Sequence, residues 1–176
     1  MWKQKRITNA SFSDLCRIAL LADYGGLWID ATVLLTGKID EKILQSDIFF
    51  YQASFLDMTV TKVSSWFMYA KNPDNYFMCS LKESMINYWL NNKHMDDYFI
   101  FHIMAAALCE KDCFREYFKN TPYFSNTYPH LLLFELNNKV NKEKLRHILQ
   151  MSNVHKLTYK NLLSTPDLSL IHISEP

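Results

Sequence analysis

The stretch that decides the fold covers residues 11–36 and reads SFSDLCRIALLADYGGLWIDATVLLT. Apolar residues recur at helical spacing over residues 11–24, which predicts a helix that opens on a capping box of Ser11 and Asp14. Gly25 ends this helix, and Gly25 and Gly26 together predict a sharp reversal of the chain. A short apolar strand over residues 27–29 follows. The segment therefore predicts a helix, a tight turn and a strand that ends at Asp30.

Outside this segment, the pattern of apolar residues predicts further strands and helices. Strands are expected at 33–35, 48–51 and 66–70, and helices at 72–90, 98–108 and 142–150. No internal repeat or linker interrupts the chain. Its 176 residues are enough for one domain with a sizeable core. We therefore expect a single helix-rich α/β domain.

Composition excludes several classes of function. The chain has 19 basic and 18 acidic residues, so it has no strong field that would attract nucleic acid. Its longest apolar runs, such as residues 100–108, are too short and too interrupted to cross a membrane. We therefore expect no nucleic-acid partner and no transmembrane segment.

The four cysteines indicate the compartment. No apolar export signal precedes them, so we interpret them as reduced thiols. Cys109 and Cys113 lack a second Cys/His pair at ligand spacing, and helical packing explains them better than a structural metal. The expected location is the cytoplasm, including the inner face of the membrane as a peripheral protein.

Three charged residues of the opening segment are candidates for chemistry. Asp14 and Arg17 are three residues apart, so they share one helical face, and the turn brings Asp30 back toward that helix. Such a group can hold sugar hydroxyls and a divalent cation, for which oxygen ligands suit Mg²⁺ or Mn²⁺. From spacing alone, a surface ion pair of Asp14 with Arg17 and a turn-forming Asp30 remain the alternative.

The same segment resembles a known family. Residues 13–17 fit S-D-x-x-R, residues 24–30 fit Y-G-G-x-W-x-D, and residues 30–32 read D-A-T. This combination is similar to the glycosyltransferases of the capsular polysaccharide synthesis family. Looser likeness follows at 64–67, 97–102 and 155–159.

The resemblance implies a fold for the chain. Such transferases have the GT-A fold, a Rossmann-like α/β domain whose first strands precede the S-D-x-x-R helix. Because this chain reaches that helix at residue 11, we expect a partial GT-A-like domain over residues 1–167, truncated at both ends, and a fragment that is inactive alone. Residues 168–176 resemble a translated sequencing adapter and are expected to be a non-native tail.

The resemblance also implies a donor site. Asp14 and Arg17 match the pair that binds the donor sugar and its phosphate region, and Asp30 matches the first acidic residue of the D-x-D motif. Thr32 stands where many relatives have a second, metal-ligating Asp. We therefore expect Asp30 and Thr32 to hold Mn²⁺ or Mg²⁺, more weakly than two carboxylates would, unless a cation is supplied from elsewhere. The expected donor-binding residues are Asp14, Arg17, Gly25, Gly26, Asp30 and Trp66.

Two further residues are candidates outside the opening segment. Asp97 is expected to join Asp30 as a catalytic residue by positioning the acceptor or the metal, with Asp96 beside it as a second oxygen source. Capping of the following helix is the alternative for Asp97. His102 is more typical of a core histidine than of an acid or base.

The function that these features imply is transfer of a hexose from a nucleotide-sugar donor, expected to be a UDP-sugar, to a polysaccharide or lipid-linked acceptor of the cell surface. Retention of the anomeric configuration is expected from the D-x-D families. One alternative is a catalytically inactive relative or interaction subunit, because Thr32 departs from the motif. A second alternative is a metal-dependent hydrolase or nuclease that uses Asp30 with Asp96 or Asp97.

Overall fold

The chain has a helix-rich mixed α/β structure. The computed structural model describes residues 7–53, 62–92 and 97–158, so Asp96 and residues 168–176 lie outside the described residues. The helices are α1 (Asn9–Tyr24), α2 (Glu41–Gln45), α3 (Tyr76–Asn91), α4 (Ile100–Cys109), α5 (Asp112–Lys119), α6 (Thr127–Glu135) and α7 (Lys142–Met151). The strands are β1 (Gly26–Ile29), β2 (Val33–Leu35), β3 (Ile48–Gln52), β4 (Val63–Ala70) and β5 (Val154–Lys156).

The chain divides into two compact units. Of the described residues, those in 7–29 and 41–125 form the first unit, and those in 30–40 and 126–158 form the second. The boundary falls between Ile29 and Asp30, at the end of the predicted strand. None of the helices in the described ranges has the length and apolar character that crossing a membrane requires.

A three-stranded antiparallel sheet forms the centre of the first unit, in the order β1-β4-β3. The central strand β4 is buried along most of its length, in keeping with the apolar run of residues 66–70. Buried residues of α1, α3 and α4 join this sheet in one hydrophobic core; they include Ile18, Leu21, Leu81, Met85 and Phe101.

Helices α1 and α3 begin at residues other than the predicted ones. Thr8 caps α1 by accepting a hydrogen bond from Ser11 N at 3.1 Å, so the capping box predicted at Ser11 and Asp14 is wrong. Helix α3 begins at Tyr76 with Asn75 as its cap, later than the predicted start at Asn72. Asp74 explains the delay, because its φ of 57° lies in the left-handed region and breaks a right-handed helix.

The second unit contains a two-stranded antiparallel sheet of β2 and β5, in which Leu34 lies opposite His155. Backbone hydrogen bonds extend the pairing at both ends, from Leu157 N to Thr32 O at 2.8 Å and from Thr36 N to Asn153 O at 3.0 Å. Helix α6 packs against β5. The sequence patterns did not predict β5, which pairs with a strand far away along the chain.

Candidate functional site

Asp30 lies in a small polar cluster of the second unit. Its backbone carbonyl accepts a hydrogen bond from Val33 N at 3.0 Å, which forms the turn into β2. Its Oδ2 lies 3.1 Å from Nζ of Lys156, and the same ammonium donates to Oγ1 of Thr32. The side chains of Lys156 and Asp30 are 19% and 23% exposed. The cluster is therefore partly desolvated and still open to a ligand.

The pairing of β2 with β5 positions Lys156. Val33 and Lys156 are opposite each other in the register, and the hydrogen bond from Leu157 N to Thr32 O holds the next residue in place. Lys156 is the site residue that sequence reasoning missed. The looser family likeness at residues 155–159 was the available signal, but it did not say which side chain mattered.

The geometry of this cluster bears on the expected metal. A divalent cation bound by Asp30 would lie about 2.0–2.6 Å from a carboxylate oxygen, close to an ammonium that already contacts that oxygen, and like charges in such proximity repel. Within the described ranges, no group of three or more His, Cys, Asp or Glu side chains could hold a metal ion. As they stand, Asp30 and Thr32 fit a resident ammonium better than Mn²⁺ or Mg²⁺.

Arg17 is held by the first unit itself. Its Nη1 donates to Ser65 O at 2.6 Å, its Nη2 to Ser13 Oγ at 2.9 Å and its Nε to Ser13 O at 3.2 Å. Oδ1 of Asp14 lies 3.4 Å from Nη1. The guanidinium carbon also lies 5.3 Å from the centroid of the Trp28 ring, a cation–π distance. Arg17 is only 6% exposed, so these contacts join α1 to β4 and β1 in the interior.

His102 on α4 is electrostatically coupled to Arg17. Burial, and next the positive charge of Arg17, lower the pKa of His102 from 6.5 to about 4. The imidazole is therefore neutral at neutral pH. Among the residues the structure describes, its Nδ1 has no hydrogen-bond partner. His102 is half-buried and this nitrogen is unsatisfied, so it differs from the satisfied core histidine of the sequence interpretation.

Gly25 and Gly26 form the turn between α1 and β1, with φ values of 67° and 92°. A Cβ on Gly25 would lie 2.9 Å from the carbonyl carbon of Asn72, which is closer than such atoms approach. Gly25 N also donates to Leu21 O and closes the helix. These observations give both glycines a role in the backbone, and their predicted contact with a donor stays a prediction.

Two other predicted site residues have structural contacts. Trp66 is 6% exposed, and its ring stacks on Tyr51 with centroids 4.8 Å apart, which argues against the predicted stacking on a sugar. Asp97 is exposed, and its Oδ1 accepts a hydrogen bond from Phe99 N at 2.7 Å, just before α4. This contact shapes the turn before α4, whose N-cap Phe99 makes no side-chain capping bond, and the catalytic role of Asp97 stays a prediction.

The four cysteines differ in exposure. All four are free thiols. Burial raises the pKa of Cys109 to about 12, so it stays protonated at neutral pH. Cys113 lies exposed on α5.

The structure thus gathers the candidates in two groups. Asp14 and Arg17 come together in the first unit, and Asp30 and Thr32 come together with Lys156 in the second. A single cleft lined by both groups stays a prediction.

Comparison with known proteins gives the family. A model of the family described as capsular polysaccharide synthesis protein matches residues 1–169, which is nearly all of the chain. No curated protein and no solved structure matches the chain. The family match implies a role in the synthesis of capsular polysaccharide. The chain belongs to the capsular polysaccharide synthesis protein family.

Proposed function

We propose that this protein is a glycosyltransferase that moves a hexose from a UDP-sugar to a capsular polysaccharide or its lipid-linked precursor, at the cytoplasmic side of the membrane. Membership of the family supplies the biological process, and the partly open cluster of Asp30, Thr32 and Lys156 carries the chemical part of the proposal. A GT-A-like fold for the whole catalytic domain is part of the same proposal.

In this proposal, Asp30 orients the donor. Its carboxylate can accept hydrogen bonds from ribose or sugar hydroxyls, and the backbone bond from Val33 N to Asp30 O fixes the turn that presents it. Precise orientation of the donor lowers the barrier to attack by the acceptor hydroxyl. The negative charge that develops on the departing diphosphate then requires a nearby positive group.

A hydrolase or nuclease is less well supported by the same cluster. Two-metal hydrolysis needs carboxylates that are available to share metal ions. Asp30 instead contacts the ammonium of Lys156, and Asp97 contacts the backbone of its own turn. These contacts favour a transferase over the metal-dependent alternative.

The test is Asp30→Asn in the protein expressed from its complete genomic reading frame. The amide keeps the side-chain shape and the backbone turn but removes the anionic oxygen, so we expect transfer to fall on the order of 10²–10³-fold. Stability should change little, because a partly exposed ion pair contributes about 0–1 kcal/mol. Transfer from a panel of nucleotide sugars measures the first effect, and urea unfolding measures the second.

Asp23→Asn is the matched control. Asp23 pairs with Lys82 at 2.5 Å on the surface of the first unit, with its side chain 51% exposed, and its loss should leave transfer unchanged. Undiminished transfer by Asp30→Asn would remove Asp30 from the proposed mechanism.

A further inference from the structure

The contacts of Lys156 bear on which group neutralises the diphosphate of the nucleotide-sugar donor. An ammonium has three N–H donors, and Asp30 and Thr32 accept from it. With no other acceptor among the described residues, the third donor can bind a ligand oxygen. A cation that is already fixed in place needs little reorganisation when charge develops on a leaving group.

The surroundings of Lys156 hold its ammonium in a partly buried position. The side chain is 19% exposed, so its interactions are less screened than those of a surface lysine. Its charge also reaches His130 on α6, whose pKa is lowered first by burial and further by Lys156. The antiparallel pairing of β2 and β5 holds the backbone on both sides of the cluster.

Thr32 contributes to this arrangement. Its hydroxyl oxygen accepts a hydrogen bond from the ammonium without adding a second negative charge. A carboxylate at position 32 would instead create two anionic ligands, which is the donor set that a divalent cation prefers. Thr32 and Lys156 are thus chemically complementary, as a neutral acceptor and a fixed cation.

We propose that Lys156 is the diphosphate-binding cation of this protein and takes the place of a divalent metal at Asp30 and Thr32. This inference rests on the proposed glycosyltransferase function. The ammonium binds the diphosphate of the nucleotide sugar and balances the charge it gains as the bond between the sugar and the phosphate oxygen breaks. The bond electrons stay on that oxygen, the oxygen of the acceptor hydroxyl forms the new bond to the sugar, and the hydroxyl proton passes to the released diphosphate.

The experiment is a calorimetric titration of UDP, and in parallel GDP, into the protein expressed from its complete reading frame, with EDTA or with Mn²⁺. We expect the wild type to bind UDP equally well under both conditions. Lys156→Met should weaken binding in EDTA about tenfold to a hundredfold, the range for one lost hydrogen bond to a charged group. Lys144→Met is the control: Lys144 pairs with Glu135 in the same unit, and its loss should leave UDP binding unchanged.

A double variant keeps the test independent of folding defects. Lys156→Met combined with Thr32→Asp removes the ammonium and adds a carboxylate, so we expect UDP binding that is weak in EDTA and restored by Mn²⁺. Recovery with Mn²⁺ would also show that the variant is folded.

The contrary outcomes separate this inference from the proposed function. If wild-type binding of UDP is lost in EDTA and restored by Mn²⁺, the inference is overturned and the transferase proposal stands. If Lys156→Met binds UDP in EDTA as tightly as the wild type, Lys156 is not the diphosphate cation. If neither UDP nor GDP binds to the wild type under any condition, both proposals are overturned.

Discussion

At the scale of single residues, Arg17 shows that a residue of the family motif can have a structural role. Its guanidinium donates to Ser13 and to Ser65 O, and it pairs with Asp14 in the interior. A planar guanidinium has five N–H donors in a fixed fork, whereas an ammonium has only three, all on one nitrogen. These contacts give Arg17 a structural role that is separate from its predicted contact with the donor sugar.

We expect Arg17→Met to lower the free energy of unfolding by about 3–5 kcal/mol. The substitution removes one partner of a buried ion pair, so Asp14 loses its contact with the guanidinium and Ser65 O loses a hydrogen bond. Urea unfolding of the purified protein measures the loss. Arg115→Met is the matched control, since Arg115 and Asp112 have the same spacing but are 51% and 96% exposed; we expect a change within about 0.5 kcal/mol. Equal losses in both variants would contradict the structural role of Arg17.

His102 gives a prediction about pH. Its pKa is lowered to about 4 in the folded protein from 6.5, so between these values the unfolded chain binds a proton that the folded chain does not. Stability is therefore fully present above about pH 6.5 and falls as the pH decreases toward 4. We expect His102→Gln to reduce the slope of the unfolding free energy against pH over this interval, as measured by urea unfolding at several pH values. An unchanged slope would show that His102 titrates normally.

At the scale of elements, the turn between α1 and β1 depends on its two glycines for different reasons. Both have positive φ, but a Cβ on Gly25 would also meet the backbone of Asn72 and Pro73, whereas a Cβ on Gly26 would meet nothing within 4 Å. A comparison of substitutions at the two glycines therefore separates the effect of conformational strain from that of steric overlap.

We expect Gly26→Ala to cost about 1–2 kcal/mol of stability, the strain of a left-handed residue with a side chain, and Gly25→Ala to cost more because backbone atoms must also move. Thermal and urea unfolding of the two variants measure the difference. A smaller loss in Gly25→Ala than in Gly26→Ala would show that the approach of Asn72 is easily relieved.

The elements also show which parts of the fold could be predicted. Helix α1, the Gly25 stop and strand β2 follow from local periodicity and turn chemistry, and the structure confirms them. The start of α3 was wrong because the left-handed conformation of Asp74 is not visible as a pattern. Strand β5 was missed because it is only three residues long and depends on pairing with β2.

The candidate site divides in the same way. Asp30 and Thr32 could be found because they lie within one continuous motif. Lys156 is 126 residues from Asp30 along the chain, so only the pairing of the strands brings them together. Such a partner cannot be identified from local sequence patterns, because the contact depends on the tertiary structure.

At the scale of the whole molecule, composition predicted a helix-rich mixed α/β chain, and the structure confirms this. It did not predict the division into two compact units, because Asp30 to Asp40 belongs with residues far later in the sequence. A segment that packs with residues distant in the sequence leaves no signal in the composition. The strand pairings in the described sheets are antiparallel. A Rossmann-like arrangement has parallel strands, and it therefore belongs to the proposal and not to the described fold.

The balance of charge over the whole chain gives a last prediction. Nineteen basic and 18 acidic residues leave a formal net charge of +1, and Arg17, Lys82, Lys144 and Lys156 are engaged with carboxylates of the protein. Non-specific binding to nucleic acid depends on lysines and arginines that replace the counterions of many phosphates. We therefore expect no shift of single-stranded or duplex DNA at physiological salt in an electrophoretic assay, and no cleavage when Mn²⁺ is added. Binding that weakens steeply with salt, or cleavage that Asp30→Asn abolishes, would instead support the hydrolase or nuclease alternative.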